Sequence, residues 1–245
     1  MQRLLLNDKQ LKAEGLFAGE GFWVLERMPR ELLVNVYAAP TYVGRVKALG
    51  IREDLVRRCT KEELSAIAGF SFHRGVIAIA RRPAVTKLLP SSLNGGRYLV
   101  LSDIADPDNA GSLLRTAAAF GLDGIIVTPG TADLFSRKTV RSSMAQVFRL
   151  KIYSAAGPDC LDIFREAGVR IYAAAVGPGC TSLEESAAET ARGNSWVMVL
   201  GNEGHGLSED WLRGADVRVT VPMADGVDSL NVGVAGGILL YRLSN

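Results

Sequence analysis

Six short apolar runs, rich in β-branched residues, recur along the rear of this chain at 97–101, 124–128, 148–153, 170–176, 195–200 and 217–221. Stretches of helical character separate them, at 110–120, 137–147, 160–167, an Ala/Glu-rich piece over 183–191, and a last helix from about Asp228. Strands alternating with helices predict a parallel α/β sheet covered on both faces. The run Trp196-Val197-Met198-Val199-Leu200 lacks the polar alternation of a half-solvated strand, as a strand buried on both faces should. The front alternates on a smaller scale. A helix is expected over 9–18, strands at 21–26 and 32–37, helices at 41–49 and 61–68, and a strand at 75–80. Between 81 and 97 stand Pro83, Pro90, Ser91, Ser92, Gly95 and Gly96 without apolar periodicity, which is linker composition. The expected layout is a small domain over 1–85, a linker over 86–96 and a larger domain over 97–245.

Bulk properties remove several classes. With 48% apolar residues in 245, a sizeable core is easily built. The longest apolar runs are too short to span a bilayer, and the first residues, MQRLLLNDKQLK, show no small-residue cleavage site. Cys59, Cys160 and Cys180 are odd in number and lack CxxC spacing, which argues against a disulfide framework or a zinc site and for a reducing, cytoplasmic setting. No other group has metal-ligand spacing. The net charge of +2 conceals an asymmetry. Residues 1–97 hold 16 Lys or Arg against 9 Asp or Glu, whereas 98–245 hold 12 against 17. A basic front half points to a polyanionic partner.

Three blocks lie where apolar strands run out into polar, Gly-rich loops, the place where parallel sheets put ligand sites. The first is DIADPDNAGSLLRTAAAFG from Asp103, in which Asp108 or Asn109 is expected to cap a helix ending at Gly121. Arg115 leans back over Gly111, leaving space beside its guanidinium for a phosphate or sugar. The alternative is a solvated Arg, or one paired with Asp106. The second, VLGNEGHGLSE from Val199, puts three glycines around Asn202, Glu203 and His205, so its backbone can approach a ligand closely. It fits neither a dinucleotide fingerprint nor a phosphate-loop pattern. The third, VPMADGVDSLNVGVAGGILLY, leads into the last helix, with Asp228 or Ser229 as expected cap. Gly233, Gly236 and Gly237 flatten one face of that helix for a subunit contact, a bound adenine or tight packing within the chain.

Together the blocks resemble the SpoU (TrmH-type) family of RNA ribose 2′-O-methyltransferases, of the SPOUT class. Asn109, Gly111, Arg115 and Thr116 match its first motif. Gly201, Glu203, Gly204 and Gly206 match the second. Val221, Pro222, Met223, Ser229, Leu230, Asn231 and Val232 match the third, and the segment RKTVRSSMAQVFRL between the first two is also similar. The front part is similar to the small ribosomal-protein-like α/β/α domain that precedes many members. The resemblance implies a parallel sheet with a C-terminal trefoil knot, a homodimer, and S-adenosyl-L-methionine bound within the knot. It implies cofactor contacts from Ala175, Leu200, Gly201, Val221, Pro222, Met223 and Leu230, with no metal and no membrane. RNA is the implied partner, ribosomal rather than transfer RNA, because a ribosomal-protein-like domain suits structured rRNA.

The implied catalytic set is Arg115, Asn109, Glu203, Ser229 and Asn231. The family's usual assignment makes Arg115 the general base. A guanidinium stays protonated at neutral pH, so we expect Arg115 to clamp a phosphate and orient the hydroxyl, while Asn109 and Glu203 order the site and Ser229 and Asn231 contact the ribose or Arg115. The chain departs from the family pattern at Ala145, where Gly is common, and at Gly233, where Ser is common. The competing expectations are a non-catalytic RNA-binding protein on the same scaffold, a tRNA methyltransferase and a small-molecule α/β enzyme.

Overall fold

The computed structural model describes residues 7–190 and 195–245. The front elements are α1 (Asp8–Ala13), β1 (Leu16–Glu20), α2 (Phe22–Arg27), β2 (Leu33–Ala38), α3 (Pro40–Ala48), β3 (Val56–Arg58), α4 (Lys61–Ala68) and β4 (Val76–Arg81). Then come β5 (Thr86–Lys87), β6 (Arg97–Leu101), α5 (Pro107–Ala119), β7 (Gly124–Val127), α6 (Arg137–Ser142) and β8 (Lys151–Ser154). The chain continues through α7 (Leu161–Glu166), β9 (Arg170–Ala174), β10 (Thr181–Ser182), α8 (Leu183–Thr190), β11 (Trp196–Leu200), α9 (Glu209–Gly214), β12 (Val217–Thr220) and α10 (Val232–Ser244). These fall into two compact units, residues 7–84 with 133–148 and residues 85–132 with 149–245.

The first unit is built on a four-stranded sheet of order β1-β4-β2-β3. β4 pairs antiparallel with both β1 and β2, and β3 runs parallel to β2. Leu11, Tyr37, Leu64, Phe72, Ile77 and Ile79 share one buried cluster. α4 begins with a reciprocal capping box between Thr60 and Glu63 and ends at Gly69 in the left-handed region. Two expectations give way here. The segment expected as a strand over 21–26 is helix α2, with Phe22, Val24 and Leu25 buried on one face. A short apolar run is open to either period until packing decides. The helix expected over 9–18 stops at Ala13, and β1 begins at Leu16 after Gly15 turns the chain at φ 70°.

The segment 133–148, expected in the rear domain, packs with the first unit. Phe17 of β1 meets Phe135 and Phe148 with ring centroids at 5.8 and 5.6 Å. Arg82 grips Asp133 with two guanidinium nitrogens. Arg137 donates to Asp8 at 3.0 Å and reaches Glu20 at 3.5 Å; Glu20 is 4% exposed and also accepts from Arg74. Burial pushes the Asp133 carboxyl up, but the Arg82 and Phe135 N–H bonds outweigh it and hold the group below the usual carboxylate range.

The second unit carries an eight-stranded sheet of order β10-β12-β9-β11-β6-β7-β8-β5, every neighbouring pair parallel. The parallel sheet read from the alternation is therefore present. β5, which pairs with β8, comes from the expected linker. β8 starts later than expected because residues 146–149 form a single 3₁₀ turn. Alternate strand residues Val100, Ile126, Ile171, Val197 and Val199 pack with Phe164 of α7 and Trp211 of α9. On the other face α5 and α10 lie side by side. A Cβ on Gly236 would stand 2.4 Å from Leu113 and 2.8 Å from Leu200, so only glycine lets α10 come this close. Gly233 lies against Ser112, while Gly237 has nothing near it. Two of the three tail glycines thus serve packing within the chain. Among the described residues no helix is long and apolar enough to cross a membrane.

Candidate functional site

Neighbouring strands β9, β11 and β12 all end at the same edge of the second unit's sheet, and a cavity of about 450 Å³ opens there. Ala174 ends β9 and leads to Ala175 and Val176, Leu200 ends β11 and leads to residues 201–204 and Gly206, and Val219 and Thr220 of β12 lead to Val221 and Met223. Ser229, Leu230 and Asn231 bring in the tail, and Asn109 comes from the first turn of α5. The size suits a small organic ligand and the position is where parallel sheets bind one.

Hydrogen bonds join three of these segments at the rim. Asn231 donates through Nδ2 to Asn109 Oδ1 at 3.0 Å, and Asn109 donates through its own Nδ2 to Glu203 Oε1 at 2.9 Å. Glu203 also accepts from the backbone N–H of Ala105 and of Asp106, both at 3.2 Å. Its burial pushes the carboxyl up; Asn109 and the backbone donors outweigh that and hold it below the ordinary range, so it is ionised at neutral pH. Asn231 is the N-cap of α10, accepting from Gly233 and Val234 N–H at 2.9 and 3.3 Å. Neither Asp228 nor Ser229 caps it, since the chain stays irregular up to Asn231 and the first free N–H groups lie beyond that residue. Likewise Asp106, not Asp108 or Asn109, caps α5. Pro107 has no N–H to lose and a φ suited to the first helical position, which puts the cap one residue earlier.

The loop after β11 is closed on itself. Asn202 Oδ1 accepts from Gly204 and His205 N–H at 2.8 and 3.3 Å, its Nδ2 donates to Asp103 O at 2.8 Å, and Gly206 N–H returns to Asn202 O at 2.9 Å. A Cβ on Gly201 would meet Gly206 C, Leu207 N and Gly206 O at 2.4, 2.5 and 2.6 Å, all backbone. The sequence sets Asn202 among these glycines without giving it a role. An Asn two residues before Gly is the signature of a side chain that imitates a backbone turn, and it was there to be read. Ala235 and Leu239 were also missed; they follow Asn231 at four-residue spacing along one face of α10. His205 is exposed and its Nε2 lies 3.2 Å from Asp103 Oδ2.

The structure brings Asn109, Glu203, Ser229, Asn231, Ala175, Leu200, Gly201, Val221, Met223 and Leu230 to one cavity. It does not bring Pro222 or Arg115. Pro222 is exposed outside the lining. Arg115 is exposed on α5, six residues beyond Asn109, a rise of about 9 Å along the helix, and bonds to no other described residue. Among the described residues no cluster of three or more His, Cys, Asp or Glu could hold a metal ion.

Residues 96–241, the whole cavity lining included, match the model of the SpoU rRNA Methylase family. The chain belongs to the SpoU rRNA methylase family. A 23S rRNA (guanosine(2553)-2′-O)-methyltransferase of Bacillus subtilis is 35% identical over 147 residues, 60% of this chain and 57% of its own length. A tRNA/rRNA methyltransferase of Mycobacterium bovis described as uncharacterized is 32% identical over 241 residues, 94% of this chain and 81% of its own. The crystal structure of an AdoMet-bound rRNA methyltransferase from Sinorhizobium meliloti superimposes with a TM-score of 0.82 at 28% identity, covering 98% of this chain and 91% of that one. The SpoU match spans the second unit's sheet from β6 onward.

Proposed function

We propose that this SpoU protein transfers a methyl group from S-adenosyl-L-methionine to the ribose 2′-hydroxyl of a ribosomal RNA nucleotide. The observation that carries this is the chain Asn231–Asn109–Glu203, which ties three distant segments together at the rim of one cavity. The cavity's own chemistry suits the cofactor. Leu200, Val219 and Leu239 offer apolar walls, the ends of β11 and β12 offer backbone groups, and Glu203 and Ser229 supply acceptors at the mouth. Leu200, Gly201, Val221, Met223 and Leu230, with Ala175, would hold it. S-adenosyl-L-methionine supplies an activated methyl on a positively charged sulfur. Asn109 is fixed at both ends of its amide, and Glu203 remains ionised beside it. Ser229, which bonds to no other described residue, is left to meet the ribose.

Arg115 lies outside its own cavity, so the same proposal includes a homodimer in which it serves the partner's. The outer face of α10 supports this, because Val234, Ile238 and Tyr241 stand exposed at helical spacing, with Val227 and Leu230 exposed just before them. Arg115 then clamps a phosphate and orients the hydroxyl rather than taking its proton. The C-terminal segment is threaded as a trefoil knot, for which the strand order β12-β9-β11 gives support. Residues 1–85 recognise RNA as a ribosomal-protein-like domain, and the protein works in the cytoplasm, where ribosomal RNA is. The test is calorimetric titration with S-adenosyl-L-methionine, followed by methyl transfer to unmodified rRNA by the wild type and Arg115→Lys. We expect binding, transfer by the wild type, and a loss of about 10-fold or more in the variant, because Lys keeps the charge but loses the fork of donors. Absence of cofactor binding would overturn the proposed function, and full activity in the variant would overturn the clamp.

A further inference from the structure

The first unit carries an aromatic and cationic patch that its core does not need. Trp23 follows the turn at Gly21, where φ is 95°, and its indole is 55% exposed although α2 buries Phe22, Val24 and Leu25. Trp196 and Trp211, the other two tryptophans of the chain, are 1% and 2% exposed. Arg45 of α3 is exposed, with its guanidinium carbon 3.9 Å from the Phe22 ring centroid, 5.5 Å from that of Trp23 and 5.6 Å from that of Tyr42. The Phe22 and Trp23 rings meet edge to face at 5.7 Å. Two more arginines lie close by along the chain fold. Arg27 donates to the Trp23 carbonyl at 2.9 Å, and Arg74 passes beside Gly21 to reach Glu20.

We propose that Trp23 and Arg45 form a stacking platform for an unpaired base of the RNA substrate, with Arg27 and Arg74 placed for the flanking phosphates. An exposed indole loses free energy to water unless a flat partner covers it. A base offers such a face whatever its identity, and stacking on an aromatic ring needs no matching of hydrogen bonds. A protein ligand would also cover an indole. Arg45 beside its ring, Arg27 on its carbonyl and Arg74 by Gly21, on a front half with 16 basic against 9 acidic residues, favour a polyanion. Of the two acidic side chains nearest in sequence, Glu20 is buried and engaged by Arg74 and Arg137, and Glu26 is half-buried on α2. A duplex has no unstacked base to offer, so the platform selects single-stranded or looped RNA. This rests on the proposed RNA methyltransferase activity and adds where, on the protein, a substrate base is held.

The two buried tryptophans make Trp23 its own reporter. Full-length protein is titrated with a single-stranded adenosine dodecamer and with an RNA duplex of the same length, read by tryptophan fluorescence and by anisotropy of labelled RNA. The single strand is expected to quench the exposed indole and the duplex to leave it largely unquenched. Trp23→Ala is expected to lose the quench and to bind the single strand about 5- to 100-fold more weakly, with Trp23→Phe between them. S-adenosyl-L-methionine affinity should be unchanged in both variants, which checks their folding. Unchanged RNA affinity in Trp23→Ala, the result a protein-binding patch would give, overturns the platform and leaves the methyltransferase assignment standing. A wild type that binds no RNA overturns both.

Discussion

A single methyl group at Gly201 tests whether the closed loop after β11 shapes the cofactor site. Gly201 has no positive φ, so alanine meets no torsional penalty there, and the obstacle is contact alone. The new Cβ would stand 2.4 Å from Gly206 C, 2.5 Å from Leu207 N and 2.6 Å from Gly206 O. Carbon contacts are comfortable from ~3.5 Å, so the 206–207 backbone must retreat by about 1 Å. Backbone cannot rotate away as a side chain can. The retreat strains the Gly206 N–H to Asn202 O bond at 2.9 Å and carries Asn202 with it, which also holds Asp103. Overpacking of this kind costs about 1–3 kcal/mol. At ~2–4 °C per kcal/mol for a chain of this size, Tm of the second unit should fall by roughly 2–12 °C. The displaced backbone lines the cavity, and S-adenosyl-L-methionine should bind at least ~10-fold more weakly, or 1.4 kcal/mol. Gly204→Ala is the control in the same loop, since its Cβ meets only Asn202 Oδ1 at 3.4 Å. Scanning calorimetry and isothermal titration read both quantities. Gly201→Ala with wild-type Tm and affinity, or Gly204→Ala as damaging as Gly201→Ala, would refute the steric reasoning.

Two further outcomes follow from the packing. Asp133→Asn removes the charge that Arg82 grips bidentately and should destabilise the first unit by about 1–3 kcal/mol in denaturant titrations near neutral pH. The folded Asp133 carboxyl lies below its unfolded value, so its contribution is complete above the ordinary Asp range and is lost as pH falls through the folded value; the variant's deficit should therefore shrink in acid. Ile238→Glu puts a carboxylate into the exposed stripe of α10 and should shift sedimentation velocity from dimer to monomer without lowering Tm in the monomer's own core; an unchanged dimer would place the interface elsewhere.

The rear sheet was legible because its strands are uniformly apolar and its helices are not. The cavity was legible because Asn109, Glu203 and Asn231 each mark the point where a strand or loop gives way to a turn or helix start, and parallel strands deliver those points to one edge. Their pairing across 94 and 122 positions is nonetheless a tertiary fact. Where the sequence misled, short elements met long-range partners. Phe22, Val24 and Leu25 read as strand or helix with equal ease, and only burial of one face makes them α2. Residues 133–148 carry no local sign that they pack on β1, since Phe17, Asp8 and Arg82, which hold them, come more than a hundred or some fifty positions earlier. The cap of α5 was misplaced because Asp108 and Asn109 are good capping residues, whereas Pro107 settles the position by lacking a donor.

Arg115 poses a question that composition and local pattern could not, and it has a sharp experimental answer. In a two-fold dimer each cavity takes its arginine from the other subunit or from its own. Consider Arg115→Ala, which keeps an intact cavity, and Gly201→Ala, which keeps an intact arginine. Each alone is impaired at both sites under both arrangements when S-adenosyl-L-methionine is held well below the concentration that Gly201→Ala needs to bind it. If the arginine acts across the dimer, a subunit of each kind makes one complete site, the cavity of the first served by the arginine of the second, and one site defective twice over. Random pairing of equal amounts gives half heterodimers, each with one working site of two, so co-expression should restore about a quarter of wild-type methyl transfer. If the arginine acts within its own subunit, every site in the mixture lacks one element and activity stays at the level of the single variants. Restoration therefore requires both the dimer and the crossing of Arg115, and its absence, with heterodimers demonstrated by two affinity tags, would remove that residue from the partner's cavity.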